Sequence, residues 1–293
     1  IVSTIQVALV VGCEAVLLIP SSAFGQAGVF DPNFDASVSR PAFTRVRPKV
    51  VFDEAHSNVH TAVGRYKAFV DMLKNDGYDV RSNTEPFRPK VLRQADILVI
   101  VLPNGGMTSD ESDAVSEYVR NGGSLLLVLD HGKGPGSTLA QRFGVEGSDT
   151  SPFTQDPSHN EGPIRGRLRF TAENGLLQDH PITRGRNREE RITRVLTFQG
   201  QSLKGPPQSK SFLRLSNTAF DLLPDGSQKS AAGRSQGLSL RFGSGKVVVM
   251  AEAGALSAQL VGPARGEWGM NYPGFDNKQM TLNIMHWLSG LLD

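Results

Sequence analysis

The chain has 293 residues, 39% of them hydrophobic, and a formal charge of +2. That length and apolar content suit one large α/β domain or two small ones with a real core, and they exclude a disordered chain. The balanced charge, with no basic stripe interleaved with aromatics, excludes nucleic acid as a partner.

The first residues read as a targeting segment. Val7 to Ile19 is almost wholly apolar, and Pro20 to Ala27 supplies small residues, with Gly25 and Ala27 suited to the −3 and −1 positions of a signal peptidase site. The run is shorter than the roughly 20 residues of a membrane span. The expectation is therefore a signal peptide over 1–27, no stable membrane span after its cleavage, and a periplasmic or secreted protein. Cys13 is the single cysteine. Its removal would leave no disulfide, no thiolate nucleophile and no sulfur ligand for a metal.

Residues 28–46 are rich in Pro, Ser, Asn and Asp and read as a linker or a surface strap. From residue 47 to 293 the pattern is that of one α/β domain. Val50–Phe52 is β-branched, aromatic and short, hence a buried strand. Thr61 to Asp76 reads as a helix with Val63, Tyr66, Phe69, Val70 and Leu73 on one face and Gly77 as its stop. A short strand is expected near Tyr78–Val80, and Ala95–Leu102 (ADILVIVL) is a central strand, apolar on both faces as parallel strands are. Thr108 to Glu111 (TSDE) is a capping box that opens a helix to Arg120. Ser124–Leu129 is the next central strand, and Ser137–Phe143 a short helix.

This alternation predicts a mostly parallel sheet with helices on both faces. Residues 167–244 hold shorter strand candidates, Leu168–Phe170, Arg194–Phe198, Phe212–Leu215 and Leu238–Phe242, and read as an antiparallel, β-rich extension. Lys246–Met250 is again a buried strand. Residues 262–277 read as an irregular loop. A last helix, Lys278–Leu292, is expected to bury Met280, Ile284, Trp287, Leu288 and Leu291.

Three buried strands end in polar residues: Asp53 and Glu54 followed by His56, Asn58 and His60; Asp130 and His131; and Glu252. Parallel strands bring these ends to one edge, the edge at which open α/β sheets bind ligands. Such groups suit a divalent metal, or acid–base work at a sugar, ester or amide. The plainer alternative is that the carboxylates and amides cap loops while the histidines satisfy buried backbone groups. His56 and His60 are four apart, as in helical zinc motifs, but a cap at Ser57 or Asn58 places His56 before the helix and removes the shared face. A Ca²⁺ or Mg²⁺ site of carboxylates and Asn is the other metal option, so the cofactor stays open. The glycine-rich Gly132–Ser137 loop ahead of a helix suits an anion or is simply flexible. DEAH (53–56) after an apolar strand resembles the second helicase box, but no G-x-x-x-x-G-K-[ST] loop exists.

Four segments together carry a family resemblance: VVFDEAHSNVHT (50–61), LLLVLDHGKG (125–134), GKVVVMAEAGALSAQ (245–259) and GMNYPGFDNKQMTLNIMHWLSGLL (269–292). They resemble exported bacterial proteins of the DUF4350 type, within the class I glutamine amidotransferase-like superfamily and near ThuA-like and flagellar-transport (GIFT-type) domains. The resemblance covers most of the chain after about Arg47. It implies a flavodoxin-like sheet with a site at its carboxyl edge. True amidotransferases of this type carry a Cys at a strand-to-helix elbow with a downstream His and Glu. Asp130-His131 stands at the corresponding strand end here, so glutamine hydrolysis by that route should be lost. In the final loop, Trp268 and Tyr272 would stack on a sugar and Asn271, Asp276 and Asn277 would bond its hydroxyls; alternatively Asp276 caps the last helix and the aromatics pack on the sheet.

The leading expectation is an exported domain that binds a small polar molecule, a carbohydrate or envelope glycan, with Asp53, Glu54, His56, Asp130, His131 and Glu252 as its chemical groups and Asn58, His60, Asn271, Asp276 and Asn277 as ligand contacts. A hydrolase at the same site, with or without a metal, is the first alternative. A non-catalytic scaffold is the second. Oligomeric state is not legible in the sequence.

Overall fold

Short apolar runs that alternate between two burial environments are what assemble the centre of the molecule. The structure, a computed structural model, describes residues 28–130, 134–148 and 153–293. The expected targeting segment with Cys13, and His131 with Gly132 and Lys133, lie outside the described residues. Six strands carry the architecture: β1 (Lys49–Asp53), β2 (Asp79–Asn83), β3 (Ile97–Val101), β4 (Ser124–Val128), β5 (Ser235–Phe242) and β6 (Gly245–Met250). Five of them lie parallel in the order β2-β1-β3-β4-β6. β5 then pairs antiparallel with β6, and Leu203–Lys204, Glu146–Gly147 and Lys210–Arg214 complete a mixed nine-stranded sheet, each antiparallel to its neighbour.

Side chains on a strand alternate between faces. Val50, Phe52, Val99 and Val248 accordingly enter one hydrophobic cluster, and Val51, Leu98, Ile100 and Val249 the other. Helices α1 (Lys67–Asn75) and α5 (Asn277–Leu288) cover the first face through Phe69, Leu73, Met280 and Ile284. Helices α2 (Pro89–Leu92), α3 (Ser109–Arg120) and α4 (Pro135–Arg142) cover the second through Leu92, Val115, Val119 and Leu139. All five residues of β3 are fully buried, at roughly 1.5–3 kcal/mol of transfer free energy for each aliphatic side chain. That strand anchors the centre.

The β-rich stretch 167–244 divides its strands. β5 and Lys210–Arg214 join the main sheet, Arg169–Thr171 pairs with Arg194–Leu196, and Phe220–Leu222 sits between Gln228–Ser230 and Thr154–Gln155. Residues 28–46 lie along the surface: Val29–Phe30 pairs with Ala258–Val261, and Phe30, Phe34 and Phe43 pack on the core. Among the described residues no helix is long and apolar enough to cross a membrane.

Three expectations are corrected. α1 begins at Lys67 rather than Thr61, because residues 61–66 form tight turns in which Gly64 N–H and Tyr66 N–H both bond Thr61 C=O. Val63 is consequently 83% exposed, not buried. The stretch 262–277 is not wholly irregular, since Gly266–Gly269 pairs with Ala258–Val261. The last helix stops at Leu288, with Gly290 at φ +83°, so Leu291 turns outward at 41% exposure and Leu292 is buried in its place.

Candidate functional site

The carboxyl ends of β1 and β3 meet where the strand order reverses, because the chain leaves β1 for β2 on one side and returns to β3 on the other. Asp53, the last residue of β1, is fully buried, and His56 is 2% exposed. The His56 ring is held at both nitrogens: Nδ1 lies 2.8 and 2.9 Å from the Asp53 oxygens, and Nε2 lies 3.0 Å from Glu111 Oε1 on α3. Asn58 closes the set. Its Nδ2 donates to Asp53 Oδ2 and to Val101 C=O, and its Oδ1 accepts from His56 N–H. Glu111 also accepts from Phe87 N–H, Thr108 N–H and Thr108 Oγ1.

Burial opposes a charge on His56, but the hydrogen bonds and charges of Asp53 and Glu111 outweigh it and hold the imidazole pKa above its usual value. Burial likewise raises Glu111, and the Thr108 N–H, His56 and the other donors overcome it, taking the carboxyl down to about 2. The result is an imidazolium clamped between two carboxylates, with every polar atom spoken for. It ties the β1 loop to the start of α3. Glu54 has a similar duty, accepting from Ala62 N–H and Ser82 Oγ.

A second centre lies at the ends of β4 and β6. Glu252 is 1% exposed and stands two residues past the end of β6. It faces the 3-10 turn Gly254–Leu256, whose Gly254 and Ala255 N–H groups donate to its two oxygens. Burial first, and then the charge of Asp130, push its carboxyl up to about 8 against these N–H bonds. Space is tight: a Cβ at Gly254 would stand 2.6 Å from Trp268 Nε1 and 2.8 Å from Glu252 Oε2, and one at Gly200 2.8 Å from Glu252 Cβ. Tyr66 is fully buried alongside. Its hydroxyl donates to Ala253 C=O, and burial with the charges of Glu252 and Asp130 drives its pKa well up.

His60 stacks on Tyr66 with ring centroids 5.2 Å apart, and burial, with Arg65 nearby, lowers it to about 4. It is a neutral imidazole whose buried Nδ1 has no partner. Gln201 donates to Asp130 C=O while its buried Oε1 has no partner.

The residues expected from the final loop do other work. Asp276 Oδ2 accepts from Thr193 N–H, Thr193 Oγ1 and Arg194 N–H, and makes no side-chain cap on α5. Asn277 is fully buried and bonds both backbone groups of Leu196 and Ala255 C=O. Asn271 bonds Asp31, Gln259 C=O and Trp268 N–H. Trp268 and Tyr272 pack against Phe198, with centroids 4.8 and 5.8 Å away, and against the Arg167 guanidinium.

Sequence reasoning missed Glu111, Tyr66, Gln201 and Arg167. Glu111 was legible only as the third residue of a capping box, although its loop lies on the same sheet edge as Asp53. Backbone strain marks the same edge. Ser57, Leu102 and Gln199 have φ of +52°, +44° and +67° and follow β1, follow β3 and precede Gly200. Such conformations cost about 1–3 kcal/mol each and persist where surrounding bonds over-determine them. Here Asn104 and Gly105 N–H groups bond His56 C=O, and Gln199 N–H bonds Gly166 C=O. Among the described residues no group of three or more His, Cys, Asp or Glu is arranged to hold a metal. A cavity of about 850 Å³ opens at the opposite edge, between Pro48, Ala95, Gly123 and Leu288, far from these carboxylates.

The model of a domain family of unknown function, DUF4350, matches residues 64–261, more than half of the chain. Among solved structures the chain is similar to the mmIFT52 N-terminal domain, at 13% identity over 83% of this chain and 97% of that one, with a TM-score of 0.62. A ThuA-like protein from Bacteroides uniformis is 14% identical over 85% and 95%, with a TM-score of 0.46. Comparison with curated protein sequences finds no match. At such identities the first likeness concerns the fold alone.

Proposed function

We propose for this chain, which belongs to the DUF4350 family, that its domain binds a small polar ligand, a carbohydrate or cell-envelope glycan, on the Glu252 side of the sheet's carboxyl edge. The observation that carries this reading is a concentration of unsatisfied polarity. Buried polar atoms in folded proteins nearly always have partners. Around Glu252 three do not: His60 Nδ1, Gln201 Oε1 and Arg167 Nε. Half-buried Trp268 and Tyr272 border the same place. A ligand with several hydroxyls offers donors and acceptors to such atoms, and aromatic rings accept its C–H faces.

The order of the five parallel strands supports a flavodoxin-like reading, in which the second strand in sequence lies outside the first. It also supports the amidotransferase-like kinship that the sequence motifs suggest. Cys13 is the chain's one cysteine, and it precedes the domain. Binding is therefore the better account than thiol-dependent glutamine hydrolysis. The apolar segment 7–19 and the small residues after it support an exported protein. The His56 cluster acts in this reading as a brace rather than as a reacting centre.

A glycan-panel binding assay, followed by titration of the best binder, tests the proposal. Trp268→Ala should abolish binding, while His56→Gln should lower the melting temperature and leave affinity within about threefold. Binding that survives Trp268→Ala and disappears in folded His56→Gln would move the site to the β1–β3 crevice. A hydrolase is favoured by one further observation: Glu252, held at about 8 beside Asp130, is protonated at neutral pH and suited to act as a general acid. Turnover of a bound glycan that fails in Glu252→Gln would establish that reading.

A further inference from the structure

Arg167 is the least expected group at this edge. It lies on the loop before Arg169–Thr171, and its guanidinium sits 4.7 Å from the Trp268 ring centroid, 5.4 Å from Tyr272 and 5.7 Å from Phe198. Every other buried or half-buried arginine described as bonding has a counter-charge or a carbonyl; Arg186, for instance, is forked onto Glu190. No described carboxylate pairs with Arg167, and its Nε–H is buried with no acceptor. Burial lowers its pKa, against the charge interaction and hydrogen bond that it makes with the Tyr272 phenol. A guanidinium stacked on aromatic faces keeps its hydrogen-bonding edge free, since the rings engage only its plane.

The surroundings hold this arrangement in place. Gly166, at φ +80°, turns the chain so that a Cβ would strike Phe153 at 2.4 Å, and its C=O receives the N–H of strained Gln199, the neighbour of Phe198. Trp268 in turn sits over Gly254 and Glu252. Trp268 therefore links the box and its cation to the buried Glu252 centre.

We propose that Arg167 in its aromatic box is a receptor for the carboxylate of an acidic sugar, a hexuronate or a similarly carboxylated pyranose, so that the ligand of this site is an anionic rather than a neutral carbohydrate. This rests on the glycan-binding reading above and narrows it. A carboxylate approaching in the guanidinium plane takes Nε–H and one Nη–H together, the geometry in which arginine binds carboxylates most strongly. The pyranose ring then lies beside Trp268 and Tyr272. The pair satisfies the buried Nε–H and neutralises a half-buried charge that has no counter-ion among the described residues.

The test uses the full domain and two matched probes, galacturonate and galactose, with tryptophan fluorescence and calorimetry as readouts. Galacturonate should bind at least about tenfold more tightly than galactose, the effect of one charge-assisted pair. Arg167→Met, which keeps the stem in the box, should bring the two sugars within about twofold, and Arg167→Lys should retain part of the preference. Equal binding of the two sugars by the wild type would overturn the acidic-sugar assignment and leave the glycan-binding reading standing. A uronate preference that persists in Arg167→Met would overturn the role of Arg167. Binding of neither these nor any sugar of the panel would overturn both. Acetate displacing galacturonate without any contribution from the ring, seen as equal affinities of acetate and galacturonate, would overturn the sugar and leave only a carboxylate site.

Discussion

Replacing His56 by alanine removes the bolt between β1 and α3, and its cost follows from what the two carboxylates keep. Asp53 retains Asn58 Nδ2 and Ala55 N–H, and Glu111 retains Phe87 N–H and two donors from Thr108. Neither is left bare, but both lose a cationic partner in a place where His56 is 2% exposed and Asp53 fully buried. Breaking a buried ion pair from one side costs about 3–5 kcal/mol. For a domain of this size about 2 °C of melting temperature is lost per kcal/mol, a fall of roughly 6–10 °C. The pH dependence has a definite sign. The folded His56 pKa is raised, so its contribution is complete below the unfolded imidazole value, near 6.5, and is lost as pH rises through the folded value. Urea unfolding of wild type and His56→Ala at pH 6 and pH 9 should show a gap that is larger at pH 6. A gap under about 1 kcal/mol at pH 6, or one that does not narrow by pH 9, would refute the clamp.

Further outcomes follow from the same contacts. Glu252 should titrate near 8 in a carboxyl-carbon NMR experiment; because the unfolded carboxyl ionises near 4.5, stability should fall as pH rises between those values, and a measured pKa below 5 would contradict the burial argument. Glu111, held at about 2, contributes stability that is present above its unfolded value and lost as pH falls toward 2. Glu111→Gln should therefore cost about 2 kcal/mol or more at pH 7 and much less near pH 2.5 in calorimetry. Asn277→Ala leaves the N–H and C=O of Leu196 and the C=O of Ala255 without their partner, an expected loss of about 2–4 kcal/mol by chemical denaturation. Gly254→Ala should displace Trp268 and change its fluorescence, because the new Cβ would stand 2.6 Å from the indole nitrogen.

Much of the framework was legible in the chain. ADILVIVL, SLLLVL and KVVVM are apolar at every position, and such runs satisfy only strands covered on both faces. The capping box at Thr108 fixes where α3 starts, because both of its hydrogen bonds are local in sequence. Helix boundaries were less legible where tertiary bonds compete with periodicity. Val63 has helical spacing with Tyr66 and Val70, yet the demand of Glu54 for Ala62 N–H and the turns around Gly64 keep residues 61–66 out of the helix.

At the candidate site, residue chemistry and strand position were readable, while the division of labour was not. The motif from Asp53 to His60 determines that carboxylates and imidazoles reach the carboxyl edge, since Val50–Phe52 is a buried strand whatever surrounds it. Whether those groups react or brace depends on partners distant in the chain. Glu111 lies 55 residues from His56 and completes the clamp that leaves His56 no free nitrogen. His60, four residues from His56, faces Tyr66 instead and keeps an unpartnered one. Local sequence determines a side chain's type and its place along a strand or turn. The tertiary structure alone decides its dielectric surroundings and its partners, and these set charge, hydrogen bonding and reactivity.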